Sequence, residues 1–390
     1  MLNDLLTTEL RDLDEQHLRR VLRSVDGAQG PRIHVDGRDI LNFSSNDYLG
    51  LAGDPRLAAA ARNALDQEGV GAGASRLISG HLSSHRKLEQ LLADFKQTQS
   101  SLVFSTGYMA NVGIISALVG RDDIVFSDRL NHASIVDGIV FSRAQMKRYP
   151  HCDMKALEEM LKETPAKTKK LIVTDSVFSM DGDIAPLDHI VDLAQRYKAM
   201  VMVDEAHGFG VLGKNGKGAV EHFGLEGKID IQMGTLSKAA GCFGGYVCGS
   251  KALIDYLTNK ARSFVYTTAM PPMVAAAAAR GVEIIRDEPT RRQYLLELAD
   301  DLRRGLNDLG FDTMNSQTPI IPILVKDTQA SVDLSAKLFE EGIWVQAIRP
   351  PTVPENAARL RLTVTAAHTR EDVNQLLDVL KKLRTAACLI

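Results

Sequence analysis

Met200-Val-Met-Val-Asp204-Glu-Ala-His207 and Ile229-Asp-Ile-Gln-Met-Gly-Thr235-Leu-Ser-Lys238 decide the fold. The first run is apolar at every position up to Asp204, and the second places Asp230 and Gln232 between Ile229, Ile231 and Met233. A strand with one wet face would alternate strictly, so the first reads as a strand buried on both faces of a parallel sheet and the second as another strand of that sheet. Each run then meets a charged residue where its apolar stretch ends. Buried sheets of this kind place their chemistry at the carboxyl ends of the strands.

The same pattern extends outward. Leu102–Phe104, Ile124–Phe126 and Leu171–Val173 are further apolar runs, with amphipathic stretches such as Leu187–Tyr197 between them. Alternation of this kind predicts an α/β fold: a mostly parallel sheet sandwiched by helices. The N-terminus reads as a helix over Leu2 to Ser24, followed by short strands at Ile33–Val35 and Ile40–Phe43. From Pro271 onward, helices over Pro272–Arg286 and Thr290–Leu309 precede alternating strands and helices. These are strands Ile320–Val325, Trp344–Ile348 and Leu360–Thr365, with helices Ser331–Glu341 and Arg370–Leu383. The expected division is an N-terminal segment (1–48), a large domain (49–285) and a smaller C-terminal α+β domain (286–390).

Bulk composition narrows the classes. The 390 residues carry 46 Lys plus Arg against 49 Asp plus Glu, a net charge of -3. That balance gives no reason to expect nucleic acid or an anionic membrane as partner. No apolar run is long enough to span a bilayer, and the acidic start MLNDLLTTELRDLDEQ does not resemble a signal peptide. Cys152, Cys242, Cys248 and Cys388 are scattered with no CxxC pair, so no metal site is expected and a reducing, cytoplasmic setting is.

Asp204 alone is equally a capping carboxylate, and Lys238 alone a structural lysine. Together they ask for a ligand with both a carbonyl and a basic nitrogen. Pyridoxal 5′-phosphate meets that requirement: lysine for the aldehyde, carboxylate for the ring nitrogen, and donors for the phosphate. The phosphate needs a helix N-terminus with small or hydroxyl residues, and Ser105-Thr-Gly107-Tyr108 supplies one after a strand. Thr235 adds a hydroxyl, and His132 opens a helix from which it can face the ring. A nucleotide-binding dehydrogenase is the rival reading, but no GxGxxG joins an early strand to a helix.

Motif by motif, the chain resembles the α-oxoamine synthases, fold-type I pyridoxal-phosphate enzymes. The resemblance rests on Asn42-Phe-Ser-Ser-Asn-Asp-Tyr-Leu-Gly50, Gly71–Gly80, Asn131-His-Ala-Ser134, Phe178-Ser-Met-Asp-Gly182, Asp204-Glu-Ala-His-Gly208 and Thr235-Leu-Ser-Lys238. Ile348-Arg-Pro-Pro-Thr-Val-Pro354 and Ala358–His368 are similar to the branch that condenses L-alanine with a pimeloyl thioester, on CoA or acyl-carrier protein, in biotin biosynthesis. A glycine C-acetyltransferase of the same family is the alternative.

The resemblance implies roles. Lys238 bonds to the cofactor and moves the substrate proton. Asp204 pairs with the ring nitrogen, His207 with the ring oxygen, and His132 stacks on the ring. Gly107, Tyr108, Ser179 and Thr235 hold the cofactor. Arg361 binds the amino-acid carboxylate, with Asn46, Arg349 and Thr352 near substrate. Among Arg19, Arg20 and Arg23, Arg20 is the choice for a further substrate contact. A homodimer is implied, in which Thr267 and Thr268 reach the phosphate held by the second subunit.

Overall fold

The computed structural model describes residues 1–387; Cys388 lies outside them. The chain forms two compact units. The larger holds residues 47–179 and 183–293; the smaller joins 1–46, 180–182 and 294–390.

The larger unit is built on a seven-stranded sheet. In spatial order its strands are Ser100–Phe104, Gly245–Gly249, Ile231–Thr235, Met200–Asp204, Lys170–Asp175, Ile124–Asp128 and Gln145–Tyr149. Gly245–Gly249 runs antiparallel to both its neighbours, and every other pairing is parallel. The sheet is therefore mostly parallel, as its apolar runs predict. Alternate strand residues such as Phe104, Val125, Val173, Met202 and Met233 form one core with helices Gly107–Leu118, Ala133–Ser142 and Lys251–Lys260. Helix Ser83–Lys96 packs on Ser100–Phe104 and Gly245–Gly249, and Pro272–Asp287 packs on that helix and on Pro55–Glu68.

Two strands of this sheet are not apparent in the sequence. Gln145–Tyr149 is an edge strand with mixed exposure, so it lacks a continuous apolar run. Gly245–Gly249 lies inside the glycine-rich stretch after Lys238, and glycine has low strand propensity.

In the smaller unit, Val25–Asp26, Arg32–Val35, Arg38–Asn42 and Ile343–Trp344 form one sheet, and Ile320–Lys326, Ala358–Thr363 and Gln346–Ile348 another. The stretch expected as one strand over 344–348 is thus two strands serving different sheets. Residues 1–46 do not form a unit of their own, because Arg38–Asn42 pairs in parallel with Ile343–Trp344. The first helix ends at Glu15 rather than Ser24 and buries none of its residues. Among the described residues, no helix is long and apolar enough to cross a membrane.

Candidate active site

Four neighbouring strands of the large sheet end on Asp128, Asp175, Asp204 and Thr235. The register sets Asp175 beside Asp204. At this edge lies a cavity of about 220 Å³ whose lining includes Gly107, Tyr108, His132, Asp204, His207 and Lys238. Thr235 lines it as well. Residues separated by more than a hundred positions in sequence thus meet because parallel strands share one carboxyl edge.

Asp204 is buried. One carboxylate oxygen accepts the Ala206 backbone N–H at 2.9 Å, and the other accepts Asn111 Nδ2 at 2.8 Å. Both donors are neutral, so the charge keeps its pull on any cation in the cavity. Asn111 also donates to Ser134 Oγ at 2.9 Å, which meets His132 Nδ1 at 2.7 Å. The His132 backbone N–H donates to Asp175 Oδ2 at 2.7 Å. A chain of short contacts therefore fixes the carboxylate and the imidazole relative to each other.

His207 Nδ1 meets Tyr48 Oη at 2.5 Å. Thr235 Oγ1 donates to the Gly244 carbonyl and lies 2.8 Å from Ser237 Oγ. Lys238 is half-buried three residues beyond its strand. Tyr108 donates its hydroxyl to Asp137.

Burial pushes the Asp175 carboxyl well above the usual carboxylate range, and neighbouring Asp204 pushes it further. Displaced water holds the His132 imidazole below its ordinary value, against the opposing pull of Asp204. Both shifts favour the uncharged form of the group beside Asp204.

The matching family model, aminotransferase class I and II, covers residues 38–380. An 8-amino-7-oxononanoate synthase from Symbiobacterium thermophilum is 49% identical over 383 residues, covering 98% of each chain. One from Geobacter sulfurreducens is 50% identical over 378 residues, covering 96% of each. The chain belongs to the 8-amino-7-oxononanoate synthase family. Among solved structures, a serine palmitoyltransferase from S. paucimobilis with a bound PLP–myriocin adduct superposes with TM-score 0.94 at 33% identity, covering 99% of this chain and 98% of that one. An 8-amino-7-oxononanoate synthase from Francisella tularensis superposes with TM-score 0.77 at 32% identity, covering 89% and 98%.

Members of this family are pyridoxal-phosphate-dependent acyltransferases, and this cavity suits that cofactor on its own terms. Helix Gly107–Leu118 begins at its rim, and the first N–H groups of a helix have no acceptor within it. Only Met109 is capped there, by Thr106 Oγ1 at 3.1 Å. A Cβ on Gly107 would come within 3.3 Å of Met233 and 3.4 Å of Thr235, so the glycine keeps the floor open. Asn111 lines the cavity, and its buried Oδ1 has no partner among the described residues.

The remaining expected residues lie elsewhere. Ser179 sits in the larger unit, in a hairpin closed by the Val177–Ile184 bridge, and does not line the cavity. Thr267 and Thr268 are also outside it; Thr268 bridges Ser75. Asn46, Arg20, Arg349, Thr352 and Arg361 all belong to the smaller unit. There, buried Arg361 donates to Asn46 Oδ1 at 3.0 Å and Thr363 Oγ1 at 2.8 Å. Arg20 reaches Thr352 Oγ1 at 3.3 Å, whereas Arg19 and Arg23 pair with Asp14 and Asp36. Arg349 donates to the Arg19 carbonyl.

Asn111 and Asp175 escape the sequence reading. Asn111 is a buried amide on a mostly apolar helix, and an amide at a buried position was its signal. Asp175 ends its strand as Asp204 does.

Proposed function

We propose that this chain condenses L-alanine with a pimeloyl thioester, on CoA or an acyl-carrier protein, to give 8-amino-7-oxononanoate, CO2 and a free thiol. The observation that carries the reading is that Lys238 and Asp204 line one cavity at the strand ends. When bound, pyridoxal phosphate supplies a sink for the electrons left on the amino acid's α-carbon.

The chain's own residues do the rest. Lys238 would bond to the cofactor aldehyde, and Asp204 would hold the proton on its ring nitrogen. His207 would serve the ring oxygen and His132 the ring face; Gly107, Tyr108, Ser179 and Thr235 would complete its hold. With the cofactor loaded and alanine bound, Lys238 Nζ would be the base that takes the alanine α-proton. The α-carbon then bonds to the thioester carbonyl carbon, the C–S bond breaks, and the thiolate takes a proton from solvent to leave as the thiol. The carboxylate leaves as CO2, and Lys238 returns a proton to the α-carbon. Arg361 suits the alanine carboxylate through its planar fork. Arg20, Asn46, Arg349 and Thr352 serve the substrates.

We place the reaction in a cytoplasmic homodimer, with Thr267 and Thr268 donating to the phosphate bound by a second copy. The test is product identification by mass spectrometry with alanine or glycine against pimeloyl or acetyl thioesters. Alanine with the pimeloyl thioester should dominate. Preference for glycine with acetyl-CoA would instead assign a glycine C-acetyltransferase.

A further inference from the structure

One charged cluster beside the cavity takes no part in the chemistry above: Asp128, His151 and Asp183, with Cys152 alongside. His151 Nδ1 lies 3.1 Å from Asp128 Oδ1, and its Nε2 lies 2.7 Å from Asp183 Oδ2. Carboxylates accept, so both ring nitrogens must donate, and only the imidazolium can do that. Burial lowers the His151 pKa, but the hydrogen bonds to the two aspartates outweigh it and push the value up to about 12.

Each aspartate shapes a loop of the site. Asp128 ends its strand, and its carboxylate also accepts the Leu130 and Cys152 N–H groups, both at 2.8 Å. That folds the turn leading to His132. The Asp183 carbonyl accepts the Phe178 N–H at 3.1 Å, and the Phe178 ring meets His151 edge-on at 4.4 Å. Ser179 is the next residue. One side chain therefore touches both loops.

We propose that His151 is a positioning residue: clamped between Asp128 and Asp183, it fixes the loop that presents His132 to the cofactor and ties it to the loop that carries Ser179. The proposal rests on the roles given above to those two residues. Asp128, His151 and Cys152 also bring ligand atoms within 4.8 Å of one another. A metal ion there would have to displace the shared proton and deprotonate Cys152, whose pKa burial raises. Both proton losses oppose a metal at this cluster.

The test uses the cofactor-loaded enzyme with His151→Gln, His151→Arg and Asp183→Asn. Three quantities are read: cofactor Kd, circular dichroism of the bound cofactor's visible band, and Tm. His151→Gln keeps one donor and loses the charge. It should weaken cofactor binding about tenfold, as for one lost charge-assisted hydrogen bond, and shrink the visible band. His151→Arg, a cation with donors on both sides, should recover most of the band. If His151→Gln does not fold, Asp183→Asn should show the same direction with a smaller change. Wild-type Kd and band in the variants, or a lowered Tm with an unchanged band, would overturn the clamp. Cobalt(II) binding with thiolate absorption that Cys152→Ser abolishes would replace it with a metal site. A wild-type chain that binds no pyridoxal phosphate would overturn the cofactor reading and the clamp together.

Discussion

Asn111→Ala probes how far the Asp204 carboxylate depends on its neighbours. Asn111 is buried and donates to Asp204 at 2.8 Å and to Ser134 at 2.9 Å. The bond to Asp204 has an ionised acceptor, and bonds of that kind contribute about 1.5–3 kcal/mol. If the loss falls on cofactor binding, Kd rises about 10- to 150-fold. Asn111→Asp is the sharper companion. It sets a second carboxylate at the same 2.8 Å, where two charges repel by about 6 kcal/mol at an effective dielectric near 20. One of the pair must then take up a proton, and turnover at neutral pH should fall further than in the alanine variant. The assay is absorbance titration of the dialysed protein with pyridoxal phosphate, followed by kcat and KM. An Asn111→Ala variant with Kd within about twofold of wild type, below one ordinary hydrogen bond, would refute the reasoning.

Three further outcomes follow from particular residues. Lys238→Ala should bind the cofactor weakly and show no turnover in the product assay; normal turnover would remove Lys238 from the chemistry. Arg361→Lys replaces a planar fork with a point charge, so KM for alanine should rise about 10- to 150-fold while kcat changes less; an unchanged KM would place the carboxylate elsewhere. His368 is buried and stacked on Phe43, and burial lowers its pKa from 6.5 to about 4. Because the folded value lies below the unfolded one, the stabilisation is complete above pH 6.5 and is lost as pH falls toward 4. The loss is about 3 kcal/mol, and the fluorescence of Trp344, the only tryptophan and in the same unit, should report it in urea titrations. A urea midpoint unchanged between pH 7 and pH 4.5 would contradict it.

The parts of this protein that were legible in its sequence are those where burial and charge conflict. Asp204 and Lys238 stand out because an apolar strand ends on the first and another is followed by the second, and that conflict asks for a ligand. The four central parallel strands, Ile124–Asp128, Lys170–Asp175, Met200–Asp204 and Ile231–Thr235, are legible as short apolar runs. Gln145–Tyr149 is not, because an edge strand needs no continuous apolar run. The Trp344–Ile348 stretch looks like one strand because strand periodicity says nothing about which sheet each residue joins. Asn111, Asp175 and His151 act through partners 93, 43 and 32 positions away in sequence, Asp204, His132 and Asp183. Such pairings exist only once the strands are in register.

The most direct measurement is borohydride reduction of the cofactor-loaded protein, then digestion and mass mapping. The predicted result is one stable pyridoxyl adduct per chain, on the peptide containing Lys238. An adduct on another lysine, or none, would contradict the central claim.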